Sequence, residues 1–134
     1  MKRTPLSKIG KSDKAKLEKA ADRLLQTYIT TKYPRCELCG QQSQCGHHFI
    51  EKSKSNRLRY HEPNIIPVCL SCHSKIHNRF SFSIQSHDII EDIIIKRGKK
   101  WRNELDKLRK EIVKTNEDYY QNAIQEYTEK INQL

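Results

Sequence analysis

Apolar residues recur at three- and four-residue steps in most of the chain and lose that rhythm in one long central stretch. Leu17, Ala20, Ala21, Leu24, Leu25 and Tyr28 form a stripe amid Lys and Glu. That stripe predicts a helix capped by Ser12 and ended before Pro34, because proline disfavours helical geometry at Tyr33. From Arg35 to about Phe80 no helical period survives, and nearly all the Cys and His residues fall there. Beyond it, Ser86 is a candidate cap for a short helix through Ile89, Ile90, Ile93 and Ile94, with Gly98 as its stop; isoleucine richness suits a strand as well. Trp101, Leu105, Leu108 and Ile112 predict a further helix, and Tyr120, Ala123, Ile124, Tyr127, Ile131 and Leu134 another, both stripes reading as core packing. No solenoid period and no linker-like segment interrupts this order. The expected fold is α+β and mostly helical: a basic N-terminal segment and helix (1–34), a metal-containing centre (35–80) and a C-terminal helical region (81–134).

Composition changes this picture in two ways. With 134 residues and 35% hydrophobic content, the chain amounts to about one domain with a modest core, so something must supplement apolar burial. The net charge of +10, spread along the whole chain, points to a polyanionic partner, since each neutralised phosphate releases counterions and the field speeds encounter. Basicity alone does not separate nucleic acid from other anionic surfaces. No run approaches the roughly 18 apolar residues of a membrane span, and Met1 to Gly10 lacks a signal-like apolar run, so no membrane partner and a cytoplasmic setting are expected. Five cysteines, an odd number, then suggest metal binding or catalysis rather than disulfides.

Their spacing sharpens that. Cys36-Glu37-Leu38-Cys39 and Cys69-Leu70-Ser71-Cys72 are two CxxC turns, and tetrahedral zinc is held by four soft ligands converging in pairs from such turns. Structural zinc is the expectation, with two disulfides or a redox CxxC as the alternatives. Zinc would also supply folding energy that the small core lacks. Cys45 is left over. It reads as a substitute ligand or reactive thiol, or, more plainly, as a small, partly buried hydrophobe, since four better-spaced ligands exist.

Between and after the turns run Gly46-His47-His48-Phe49-Ile50, then Asn64-Ile65-Ile66-Pro67-Val68, then Cys72-His73-Ser74-Lys75-Ile76-His77. If the chain turns helical after Cys72, His73 and His77 share a face and chelate one ion. His47 and His48 point to opposite sides of an extended segment, so one joins the metal while its neighbour faces another atom. Such an arrangement suits phosphodiester hydrolysis, where a metal neutralises charge on the phosphate and leaving oxygen while a separate imidazole takes a proton from water. An i, i+4 His pair alone is a weak signal; the full set inside a zinc staple is a strong one.

The His pair before an apolar residue, the downstream Asn, and CxxCH with a further His resemble the HNH, or ββα-metal, endonucleases. That resemblance spans Arg35 to about Asn78. It implies a β-hairpin followed by a helix clasping a catalytic divalent ion, with His47 as a metal ligand, His48 as general base, Asn64 as the pin of the hairpin loop, and His73 and His77 as helix ligands. Many members carry Asp where this chain has His47. Three imidazoles favour Mn²⁺, Ni²⁺, Co²⁺ or Zn²⁺ over Mg²⁺. The string Cys45 to Ile50, the basic run to Arg59-Tyr60, Asn64, the CxxCH and the helical tail are also similar, more loosely, to the NinG/Rap phage recombination nucleases, which act on branched DNA. This implies a DNA partner and, for a phage-encoded chain, a host-cytoplasmic setting.

Lys52, Lys54, Arg57 and Arg59 lie between the base and Asn64 in sequence and are candidates for phosphate contact, Arg57 and Arg59 as catalytic clamps because a guanidinium holds two phosphate oxygens. A merely soluble loop is the alternative. Lys96, Arg97, Lys99, Lys100 and Arg102 form a second cluster, either a DNA backbone track, with Lys99, Lys100 and Arg102 as contacts, or a solvated helix end. The sequence presents no recognition helix, so weak or shape-dependent specificity is expected. A homodimer is a further expectation, from symmetric cutting. A catalytically inactive zinc-containing DNA-binding module is the alternative to the nuclease.

Overall fold

The computed structural model describes residues 6–78 and 83–134, so Phe80, the expected end of the centre, lies outside the described residues. The described chain is mostly helical, with five α-helices and one two-stranded antiparallel sheet. It forms two compact units: Met1–Tyr28 with Lys114–Leu134, and Ile29–Val113.

In the first unit, helix α1 (Leu6–Lys32, whose last turn belongs to the second unit) starts upstream of Ser12, so that serine is not the helix start. The apolar period before Ser12 is thin, so the stripe alone sets the helix start too late. The helix ends at Lys32, as Pro34 requires. Helix α5 (Glu117–Asn132) is capped by Asn116, whose side-chain oxygen accepts from the Tyr119 N–H at 2.9 Å. Ala21, Leu25 and Tyr28 on α1 and Tyr120, Ala123 and Tyr127 on α5 are buried, as the two stripes predict. Tyr28 meets Tyr127 edge-on, with ring centroids 5.4 Å apart, and the Lys130 ammonium lies over both rings. Leu134, the last position of the α5 stripe, is exposed.

The second unit contains the ββα arrangement. Strand β1 (Cys45–His48) pairs antiparallel with β2 (Ile65–Val68), placing Gly46 opposite Pro67, His47 opposite Ile66 and His48 opposite Ile65. Helix α2 (Leu70–His77) follows directly. Gly46 is required by close approach: a Cβ there would meet Ile65 Cγ2 at 2.5 Å and Ile29 Cγ2 at 3.2 Å. Helix α3 (Ser83–Arg97) settles the isoleucine-rich segment as helix and begins before Ser86. Gly98, at φ +97°, stops it and leads into α4 (Lys99–Leu108). Ile112 lies beyond α4 and is almost fully exposed, because the chain turns after Leu108 instead of continuing the helix.

The core of this unit explains how a small metal motif acquires enough apolar burial. Cys36, Cys69, Cys72, Ile66, Val68, Ile76 and Ile93 form one buried cluster, with Ile89, Ile90 and Trp101 packed against it. Ile50, Leu58 and Leu105 form a second, also flanked by Trp101. Helices α3 and α4 therefore share the core of the sheet and α2.

Candidate active site

The two CxxC turns bring Cys36, Cys39, Cys69 and Cys72 together, with all four Sγ atoms within 4.8 Å of one another. The first turn is closed by the Gly40 N–H donating to Cys36 O at 2.9 Å, with Gly40 at φ +78°. The second turn doubles as the start of α2: Cys69 is its N-cap, its Sγ accepting from the Cys72 N–H at 3.4 Å. All five cysteines are unbridged. The Cys39–Cys69 Sγ separation is 3.6 Å. Sulfurs at tetrahedral corners, each about 2.3 Å from zinc, stand about 3.8 Å apart, so the four thiols fit such an ion. Burial, reinforced by hydrogen bonding among the four, pushes the Cys72 thiol well up. Burial also opposes ionisation of Cys36, but N–H groups of Cys39, Cys69 and Leu38 outweigh it and bring that thiol down to about 7. Cys45 stands outside the cluster of four. It is half-buried against the same core, its thiol donates to Val68 O at 3.8 Å, and burial pushes its pKa up, as befits a small hydrophobe.

His47, His73 and His77 form the second metal-compatible group, with one ring nitrogen from each within 4.8 Å of the others. Cys72 and Ile76 turn one face of α2 to the core, which leaves His73 and His77, four residues apart, on an adjacent face. Their Nε2 atoms are 2.8 Å apart, close to the ~3 Å separation of two cis nitrogens each about 2.1 Å from one octahedral ion. The buried His47 ring meets both, with centroid distances of 5.3 and 5.4 Å. Burial, helped by the neighbouring His77, lowers the His73 pKa and so favours the neutral ring that ligates metal. The donor set therefore fits a divalent ion with a taste for nitrogen.

His48, next along β1, faces a different neighbour: its Nε2 lies 2.9 Å from Arg59 O. A carbonyl only accepts, so Nε2 carries the proton and the lone pair of the neutral ring sits on Nδ1. Asn64 is fully buried. Its Oδ1 accepts from the Ile50 N–H at 2.9 Å, and its Nδ2 donates to Ile50 O at 3.1 Å and Leu58 O at 3.2 Å. Its own carbonyl accepts from the Phe49 N–H at 2.9 Å. These bonds close the loop between the strands immediately after His48.

The basic residues separate. Lys52 and Lys54 are exposed on that loop. Arg57 is ion-paired with Glu111 at 2.7 Å. The Arg59 side chain is buried and lies over the Tyr60 ring, its carbonyl serving His48. Lys99 and Lys100 are exposed in the first turn of α4. Arg102 pairs with Asp106 and lies 4.9 Å over Phe49. Sequence reasoning missed the roles of Arg97 and Trp101, which bind Glu37 and Pro63 from positions far along the chain. Among the described residues, no helix is long and apolar enough to cross a membrane.

No curated protein and no solved structure matches the chain. The histidine, asparagine and cysteine positions lie inside one matched stretch, which supports a nuclease-type function: residues 36–79, roughly a third of the chain, match the family model of the HNH endonuclease.

Proposed function

We propose that this chain is a metal-dependent endonuclease hydrolysing DNA phosphodiester bonds, with catalysis assigned to residues 35–80 and the flanking segments 1–34 and 81–134 in support. The observation that carries it is the convergence of the His47, His73 and His77 ring nitrogens within 4.8 Å, beside a His48 held by a backbone carbonyl. A divalent ion on the three imidazoles would supply Lewis-acid neutralisation of charge on the phosphate and leaving oxygen. Three nitrogen ligands favour Mn²⁺, Ni²⁺, Co²⁺ or Zn²⁺ over Mg²⁺, which prefers oxygen. Cys36, Cys39, Cys69 and Cys72 would hold structural zinc, which accords with a reducing, cytoplasmic setting.

His48 acts as the general base. With Nε2 donating to Arg59 O, its Nδ1 takes a proton from water as the water oxygen bonds to phosphorus. The bond from phosphorus to the leaving sugar oxygen breaks, and its electron pair stays on that oxygen. Asn64 keeps the loop after His48 in place, and Arg59 contributes its carbonyl. Arg57, Lys52 and Lys54 contact the phosphate backbone, with Arg57 exchanging Glu111 for phosphate. Lys99 and Lys100 sit where cations oppose the helix dipole, so local stability gains nothing from them; that favours a role, with Arg102, toward an anionic partner. Branched recombination intermediates are the proposed substrate class, cut symmetrically by a homodimer; a monomeric mass by light scattering at working concentration would contradict the dimer.

The test is cleavage of plasmid and of a four-way junction by wild type and His48→Ala, freed of loosely bound metal and given Mg²⁺, Mn²⁺, Ni²⁺, Co²⁺ or Zn²⁺ in turn. Wild type should cut with at least one ion, and the variant should fold, bind DNA and fail to cut. Faster cutting of the junction supports the branched substrate. Full cutting by His48→Ala removes His48 as base, and binding without cutting under every ion replaces the nuclease with a zinc-containing DNA-binding module.

A further inference from the structure

We propose that Arg97 is a positioning residue for the reaction: it ties the Asn64 segment to the first zinc knuckle, so that the structural metal site sets the geometry around the general base. The inference rests on the nuclease reading above. In sequence Arg97 belongs to a run of cations suited to DNA. In the structure it is turned inward, with its side chain 20% exposed. Its Nε and Nη2 donate to the two carboxylate oxygens of Glu37, at 2.8 and 2.7 Å, and Glu37 lies between the zinc-site residues Cys36 and Cys39. Its Nη1 donates to Pro63 O at 3.0 Å, and Nη2 also reaches Ile65 O at 3.4 Å. Four of its five N–H groups are thereby used within the protein, and the two carbonyls flank Asn64.

Neighbouring contacts reinforce the tie. The Lys96 ammonium donates to Glu37 O at 2.8 Å, and the Glu37 N–H donates to Pro67 O at 2.9 Å. The Trp101 indole N–H donates to Pro63 O at 2.7 Å, and the Arg97 guanidinium lies 5.1 Å from that ring's centroid. A planar fork can hold both oxygens of a carboxylate and two carbonyls at once, whereas a lysine ammonium has one N–H too few for these four acceptors. Asn64 in turn holds Phe49 and Ile50, the two residues after His48. Loosening Arg97 therefore lets the pinned loop drift, and a displacement of about 1 Å at a reacting group costs on the order of a hundredfold in rate.

Arg97→Lys, Arg97→Gln and Trp101→Phe are compared with wild type for zinc content, for amide exchange by NMR, and for cleavage. The Ile50 amide, bonded to Asn64 Oδ1, reports the pin; the His73 amide, bonded to Cys69 O, reports the knuckle and helix. Zinc at the four cysteines should stay at one ion per chain. In the Arg97 variants Ile50 exchange should rise about tenfold with His73 unchanged, and kcat should fall at least about tenfold with KM within about twofold. Trp101→Phe, which removes the N–H to Pro63 O together with part of the ring packed on the core and under Arg97, should move both in the same direction by about threefold. Unchanged Ile50 exchange and kcat in zinc-loaded Arg97→Lys would overturn the proposal. So would a raised KM at unchanged kcat, which marks a substrate contact, or equal acceleration of both amides, which marks general destabilisation. If Arg97→Gln does not fold, Arg97→Lys and Trp101→Phe decide. If wild type cuts nothing, the nuclease reading fails while the exchange measurement still judges the tie.

Discussion

Replacing Asn64 removes three side-chain hydrogen bonds from a site with no solvent exposure, to the Ile50 N–H, Ile50 O and Leu58 O. In Asn64→Ala the orphaned N–H costs about 1–3 kcal/mol, and the two carbonyls somewhat less each, so the loss should total about 3–5 kcal/mol. Asn64→Asp keeps the size but turns an oxygen toward two carbonyls. Burial and those carbonyls disfavour the ionised acid, so its folded-state pKa must rise above the ~3.9 of the unfolded chain. Below that value both states are protonated and the ionisation penalty vanishes. As pH rises, the unfolded chain ionises and the folded one resists, so the deficit against wild type should grow by about 1.4 kcal/mol per pH unit until the folded pKa is reached. The sole tryptophan, Trp101, donates to Pro63 O next to Asn64 and packs on Phe49, so its fluorescence follows this unit. Urea unfolding of zinc-loaded protein at pH 5.5, 6.5 and 7.5 would measure both variants. An Ala deficit under about 1 kcal/mol, or an Asp deficit flat with pH, would refute the claim that Asn64 carries the loop.

Other consequences are equally open to measurement. Gly46→Ala places a Cβ 2.5 Å from Ile65 Cγ2, so the packed Ile65 side chain or its strand must shift, at about 1–3 kcal/mol, and a thermal midpoint within 2 °C of wild type, against the roughly 4 °C or more expected, would contradict the close approach. Cys36→Ser should lose zinc and unfold by circular dichroism, whereas His73→Ala should keep zinc and fold but lose metal-dependent cutting; a well-folded, zinc-free Cys36 variant would count against the staple. Glu111→Gln frees Arg57 from an exposed ion pair worth at most about 1 kcal/mol, so DNA affinity should rise by no more than about fivefold. Weaker binding would show that Arg57 does not contact DNA.

What the sequence disclosed follows from the range of each interaction. The CxxC turns and the His73–His77 pair are encoded within five residues, so spacing alone places their ligand atoms, and the structure brings each set within 4.8 Å. The helices with full stripes were legible for the same reason, whereas Ser12, Ser86 and Ile112 were misjudged where stripe and boundary signals part. Glu37 and Arg97 are 60 positions apart, and no periodicity connects them. Nor does any pattern mark the carbonyl of Arg59 as the partner of His48, since the backbone acceptor is common to every residue. Arg97 shows the reason: a cation in a basic run is indistinguishable by sequence from its neighbours until the fold brings up a carboxylate.

The second knuckle compresses more into its spacing than metal binding. Cys69 caps α2 through its sulfur, Cys72 faces the core one turn on, and His73 follows on the next face. Donor spacing, helix start and the orientation of the histidine face are thus fixed by the same five residues. An insertion between Cys72 and His73 would leave the four sulfurs in register while rotating His73 and His77 by about 100° around the helix axis, away from His47. Because the same rotation turns the fully buried Ile76 out of the core, such a variant should lose the three-histidine site and stability together. The nearness of the two metal-compatible clusters is therefore a consequence of one helix that begins at a donor of the first cluster and carries two donors of the second.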